Sequence, residues 1–163
     1  MSTLTVMVSA LNTVTVTRNE GVKALLRAIG GKTLHVGILG RDGSSTEDPG
    51  GITLAQLGIV LEFGTADGHI PARYWLQGTL TERRADLAAL SVRLLRRVLA
   101  GSLTVGDYHR IIGEQLVSWI KERITTGEGL RPPNAPSTIA RKGSIRPLVD
   151  HGQFINSVSS EVR

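Results

Sequence analysis

The chain has 163 residues and a mass of 17.5 kDa, which fits one domain over 1–163, large enough to bury a core without disulfide or metal staples. It has no cysteine, which excludes thiol catalysis and cysteine-based zinc sites and suits a reducing compartment; aromatic residues are only 4% against 19 glycines, so the core has to be aliphatic. The net charge of +5 admits an anionic partner, no run of 18 apolar residues offers a membrane span, and Met1–Thr5 lacks the basic region of a secretory signal.

In chain order, residues 3–17 alternate in the strand period: Leu4, Val6, Val8 and Ala10, then Val14 and Val16, with Asn12 marking a turn or bend. A first helix follows, with Asn19 as N-cap, Val22, Leu25, Leu26 and Ile29 on one face, and Gly30-Gly31 as its end. Leu34, Val36 and Ile38 predict a strand over 33–39. Residues 40–51 hold several breakers and no large apolar side chain, and read as a mobile loop. A short helix is expected over about 52–63, stopped by Gly64.

Pro71 suits a first helical position and predicts the longest helix, from there to about Leu99. Its stripe is Leu76, Leu80, Leu87, Leu90, Leu94 and Val98, with Leu95 and Leu99 at the shoulder. The next helix opens on Thr104 and Asp107, a capping-box-like pair, and runs with Tyr108, Ile112, Leu116, Trp119, Ile120 and Ile124 toward Gly127. Residues 128–149 carry four prolines and no periodicity, and read as an extended arm. Phe154 and Ile155 suit a short helical turn, and Val158, Ser160 and Val162 a last strand. The expected fold class is α+β: a small, mainly antiparallel sheet with a long helix and further helices packed on one face, plus the loop and the arm.

The charge is uneven. Residues 1–70 carry 5 basic and 6 acidic side chains, and residues 71–163 carry 14 and 8. The arm concentrates the excess: Arg131, Arg141, Lys142 and Arg146 stand against Glu128 alone. These four are the candidates for contact with DNA phosphate or with neighbouring subunits.

Catalytic chemistry finds little purchase. His35, His69, His109 and His151 have no ligand-spaced acidic or histidine partners, so no metal or cofactor site is expected. His35 reads as a rim residue, His69 as a turn residue and His109 as lying on a helix flank. There is no nucleophile elbow, and Gly50-Gly51 precedes a helix without a nearby lysine to complete a phosphate cradle. Glu62 and Asp67, five apart across a turn, could act as an acid–base pair, although a cap or an intersubunit contact serves Glu62 as well. Six scattered aromatics form no stacking platform for single-stranded nucleic acid.

Two groups of segments are informative together. The first is Leu61-Glu62-Phe63-Gly64-Thr65, then Ile70-Pro71-Ala72-Arg73-Tyr74-Trp75-Leu76. The second is Trp119 to Ile124, then Asn134 to Ile139, Arg141-Lys142-Gly143, and Pro147-Leu148-Val149-Asp150-His151-Gly152-Gln153. In order and spacing, from about residue 54 onward, they resemble the tail-completion and virion-morphogenesis proteins of tailed bacteriophages. Tyr74 departs from the proline usual there, and His151 from the usual threonine.

The resemblance implies a non-enzymatic structural protein of the virion neck, made in the host cytoplasm. It would form a homo-oligomeric ring of six copies between the head connector or head-completion protein and the tail tube or tail terminator. Genomic double-stranded DNA would pass through the lumen without sequence-specific contact. Tail terminator and head-closure roles are close alternatives; a non-specific DNA-binding factor is a more distant one. In this picture Glu62, Phe63, Gly64, Thr65, Pro71, Ala72, Arg73, Pro147, Leu148, Asp150 and Gly152 are structural. Phe63 is expected to plug the core, Pro71-Ala72-Arg73 to start the long helix, and Arg73 to hold a carboxylate such as Glu62.

Overall fold

A computed structural model describes residues 20–39, 44, 51–133, 136, 139–140 and 152–163. The strands expected over 3–17, most of the 40–51 loop and the arm residues Arg141, Lys142, Arg146, Pro147, Leu148 and Asp150 lie outside the described residues. The architecture is α+β and mostly helical. Its elements are α1 (Glu20–Gly30), β1 (Leu34–Ile38), α2 (Leu54–Phe63), α3 (Gln77–Glu82), α4 (Arg84–Leu99), α5 (Val105–Thr126), α6 (Gln153–Asn156) and β2 (Val158–Val162).

The two strands pair antiparallel, with Leu34 opposite Val162, Val36 opposite Ser160 and Ile38 opposite Val158. Because side chains alternate, these six residues share one face of the sheet. Thr33 and Arg163 extend the ladder by exchanging main-chain hydrogen bonds of 2.8 and 2.9 Å. The long helix α5 lies across this face. It can come so close because residue 113 is glycine: a Cβ there would stand 2.5 Å from Ser160 Oγ.

The core has two parts. Leu54, Trp75, Ile120, Ile124, Leu130, Phe154 and Val158 form one, where the Trp75 ring meets Phe154 edge-on at 5.2 Å. Leu90, Leu94, Ile112 and Leu116 form the other, between α4 and α5. Ser91 Oγ and Tyr108 Oη, 2.7 Å apart, tie the same two helices together.

Two helix starts are set locally by capping boxes. Thr104 and Asp107 form the expected capping box on α5, and Thr53 with Gln56 forms another on α2. Gly127, at φ 72°, closes α5. Gly101, at φ 73°, ends α4 in a Schellman arrangement, with Ser102 N–H reaching the Arg97 carbonyl and Gly101 N–H that of Val98.

Four expectations are corrected. The helix expected from Pro71 to Leu99 is two helices, and neither begins at Pro71-Ala72-Arg73. Residues 71–74 are non-helical, Tyr74 sits at φ 47°, and α3 begins only at Gln77. Arg83, at φ −90° and ψ 10°, separates α3 from α4. Two threonines in α3, Thr79 and Thr81, bond back to the carbonyls four residues earlier, a habit that bends helices. Proline could not take the place of Tyr74, because its ring cannot adopt a positive φ.

Phe63 does not plug the core; it is 65% exposed. The helix α2 is apolar nearly all round, so periodicity could not choose its inner face. That face is Leu54, Gly58 and Glu62, with Gly58 packed under Ile38 and Trp75. His109 is buried rather than flanking, with Nδ1 2.9 Å from the Val105 carbonyl. Finally, the arm is rooted in the body: Leu130 is buried among the core side chains.

Candidate functional site: a turn and an arginine cleft

The Glu62–Arg73 segment forms a turn built around one buried carboxylate. Glu62, near the end of α2, is only 5% exposed, and its two oxygens accept the main-chain N–H groups of Leu76 and Gln77, each at 2.9 Å. Those donors begin α3, and no helical carbonyl is available to them. Glu62 is thus a cap supplied from 14 residues earlier. The expected Glu62–Arg73 pair is replaced by this arrangement and is not among the ion pairs of the described residues. Glu62 and Asp67 are each engaged by separate hydrogen-bond donors. Asp67 accepts the His69 N–H, and hydrogen bonds from the Thr65 hydroxyl and from that N–H hold its carboxyl below the usual range.

Main-chain bonds complete the turn. Arg73 N–H reaches the Leu61 carbonyl, Tyr74 N–H that of Glu62, and Thr65 and Ile70 bond through main chain and the Thr65 hydroxyl. Gly64 is obligatory here. It has φ 77°, and a Cβ would stand 2.7 Å from the Ile70 carbonyl oxygen. Pro71 and Ala72 are partly buried beside it. Gly152, the one described residue of the C-terminal motif group's structural set, sits at φ 75° and accepts the Asn156 N–H at the start of α6.

Next to the turn, an open cleft of about 540 Å³ lies between α3, the end of α5 and the chain that follows it. Arg73, Arg123 and Arg131 line it together with Tyr74 and Glu82. Arg73 is buried, and desolvation lowers its guanidinium pKa from the ordinary value. Arg123 comes from the last turn of α5. Its Nη1 donates to Glu82 Oε2 at 2.5 Å and its Nη2 to the Gly129 carbonyl at 3.1 Å. Its guanidinium fills space vacated by two glycines: a Cβ at Gly78 or Gly129 would come within 2.7 or 2.8 Å of Nη2. Arg131 is exposed at the rim.

Of the four basic arm candidates, the structure therefore places Arg131, beside Arg73, which the sequence singled out as a structural residue, and Arg123, to which it gave no role. The overlooked signal was Arg123 itself, a charged residue one turn from Ile120 and next to Ile124 on an apolar stripe. A smaller cleft of about 280 Å³ on the other side of Glu82 is lined by Arg83, Trp119 and Glu122. There Arg83 bonds Glu122 at 3.5 Å and stands 5.8 Å from the Trp119 ring centre.

Among the described residues, the larger cleft brings guanidinium groups from three segments together with the Glu82 carboxylate. That composition suits docking of carboxylate- or phosphate-bearing groups. Among the described residues no three histidine or acidic side chains come together as a metal-holding group, and no helix is long and apolar enough to cross a membrane. Comparison with protein-family models, with curated proteins and with solved structures finds no match to this chain.

Proposed function

We propose that this chain is a structural protein of a tailed-bacteriophage neck, which completes the tail and joins it to the head connector as a ring around the DNA channel. The observation that carries the reading is the ordered pair of motif groups, from Leu61 to Leu76 and from Trp119 to Gln153. The chemistry of the first group is compatible with it. Glu62, Gly64 and Thr65 spend their polar groups on holding a turn, as residues selected for shape would. The basic cleft adds a second support: Arg131 stands where the proline-rich arm leaves the body, beside Arg73 and Arg123. In this reading the arm and the cleft meet acidic side chains of neighbouring subunits or the phosphates of DNA in the lumen. Tail-terminator or head-closure roles in the same region are the nearest alternatives.

The test is electron microscopy of particles produced without this protein. Filled heads beside finished, unattached tails are expected; normal joined virions overturn the proposal. A deletion that probes the arm has to begin beyond Pro133, because Leu130 belongs to the core.

A further inference from the structure

A buried guanidinium is costly unless its N–H groups are all met. Arg123, only 9% exposed, has that need met in part. Its Nη1 donates to Glu82 and its Nη2 to the Gly129 carbonyl, while its Nε is shut from solvent without a hydrogen-bond partner. The fold nevertheless makes room for it, because glycine stands at 78 and 129, where a Cβ would meet Nη2. For stability alone, an apolar side chain beside Ile120 and Ile124 would serve that inner position on α5 as well or better. The cation is better explained by the space it borders than by the contacts it makes.

That space is the open cleft of about 540 Å³, which Arg123 lines with Arg73 and Arg131. The three guanidiniums come from separate places in the chain: the turn before α3, the last turn of α5 and the segment after Gly129. Arg73 is 8% exposed, and its burial lowers the guanidinium pKa. Arg131 is exposed and enters no ion pair among the described residues. Tyr74, half exposed in the same lining, brings a neutral hydroxyl.

The arrangement of the cations selects the anion. A carboxylate has two oxygens in one plane, and a single guanidinium satisfies both. Glu82 takes its hydrogen bond from Arg123 alone among the described residues. A phosphate points its oxygens to the corners of a tetrahedron and is held best by donors from several directions. Arginines carried by three separate segments provide that. The cleft is also larger than a phosphate ion and within the range of small-ligand sites, which leaves room for the group that bears the phosphate.

We propose that the cleft lined by Arg73, Arg123 and Arg131 is a binding site for a phosphate group, either the free ion or the phosphate of a nucleotide or nucleic acid. Arg131 meets the anion at the rim, and the buried arginines hold it within. The site is a property of the free chain. It stands if virions join without this protein, and the neck reading, which rests on the motif groups, stands if no phosphate binds.

Isothermal titration calorimetry of the full chain at low salt tests this, with inorganic phosphate, a nucleoside monophosphate and a duplex oligonucleotide as probes. The parent is expected to bind phosphate saturably at one site. Arg131→Ala should weaken binding about tenfold, the loss of one charge-assisted contact. Thr81→Glu sets a competing carboxylate into the lining from an exposed position on α3, and should weaken binding by more than about tenfold. Arg93→Ala, at an exposed arginine of α4 outside the lining, should leave binding unchanged. All three positions are exposed, so the variants should keep the parent's circular dichroism, which separates a lost site from a lost fold. Duplex binding that Thr81→Glu abolishes assigns the phosphate to nucleic acid, and duplex binding that it leaves intact assigns the site to the free ion or a nucleotide. A parent with no saturable phosphate binding, a Thr81→Glu chain that binds like the parent, or an Arg93→Ala loss equal to that of Arg131→Ala overturns the proposal. So does a glutamate-rich peptide that binds as tightly as phosphate, the result expected if a partner's acidic side chains are the ligand.

Discussion

Glu62 and Arg123 are both buried charges near the ends of helices, and they are neutralised in different ways. Glu62 is satisfied by two neutral main-chain donors that the adjoining turn delivers in fixed positions. Arg123 faces a carboxylate that is itself 61% exposed, and its Nε finds no hydrogen-bond partner among the described residues. The first is a closed lock within the fold. The second ties α5 to α3 and to the root of the arm in a cleft that solvent and ions can enter. A buried charge that is complete serves the turn, whereas one left partly open borders the surface where partners are expected.

The largest effect tests the lock. Glu62→Ala strands the Leu76 and Gln77 donors and empties a packed site, and should cost about 2–5 kcal/mol in urea unfolding. Glu62→Gln, which keeps one acceptor but turns an amide N–H₂ toward the other donor, should fall between parent and alanine. Both losses should be insensitive to salt, because the partners are uncharged. A loss from Glu62→Ala that is small, or that fades in high salt, would break the contrast.

The second test concerns the open site. Glu82→Ala should cost about 1 kcal/mol, less than a fully buried pair because the carboxylate is mostly exposed. The gap to the parent should narrow as salt is raised. A salt-independent loss as large as that of Glu62→Ala would place Glu82 and Arg123 in the same class as the lock.

The smallest effect sharpens the comparison with a partly exposed carboxylate, Asp107 in the α5 capping box. Hydrogen bonds from the Thr104 hydroxyl and main chain, then Arg110, hold its folded pKa below the ordinary 3.8. A lowered folded pKa stabilises the native chain above the unfolded value, and that stabilisation is lost as pH falls through the folded one. Asp107→Asn should therefore lower the thermal midpoint slightly at neutral pH. The two midpoints should converge as pH drops below the folded pKa. A difference that grows with acidification would contradict the assignment.

How far the sequence could be read depended on how local each cause was. The Thr104–Asp107 box, the glycine stops at 101 and 127, and the β1 and β2 alternations lie within a few residues of what they determine. They appear where the pattern put them. The α4 stripe was legible through Leu87, Leu90, Leu94 and Val98, whereas Leu99, read as its shoulder, is exposed and Leu95 is half-buried.

The start of α3 was not legible, because a carboxylate 14 residues earlier sets it and Pro71 offered a nearer, misleading cue. The exposure of Phe63 was hidden for another reason. An evenly apolar helix such as α2 has no preferred inner face until the sheet and Trp75 select Gly58, the residue small enough for their approach. The arginine cleft was hidden because its parts are far apart in the chain and meet only when α5 packs against α3.

The sequence by itself thus determined the α+β class, the capped long helix, the closing strand and the place where positive charge accumulates. Those features follow from periodicity and short-range hydrogen bonding. Only the tertiary structure decided which face of each helix is inner, where the helix after the turn begins, and that Arg73, Arg123 and Arg131 share a cleft. Each of these depends on groups that only the folded chain brings within hydrogen-bonding or packing distance.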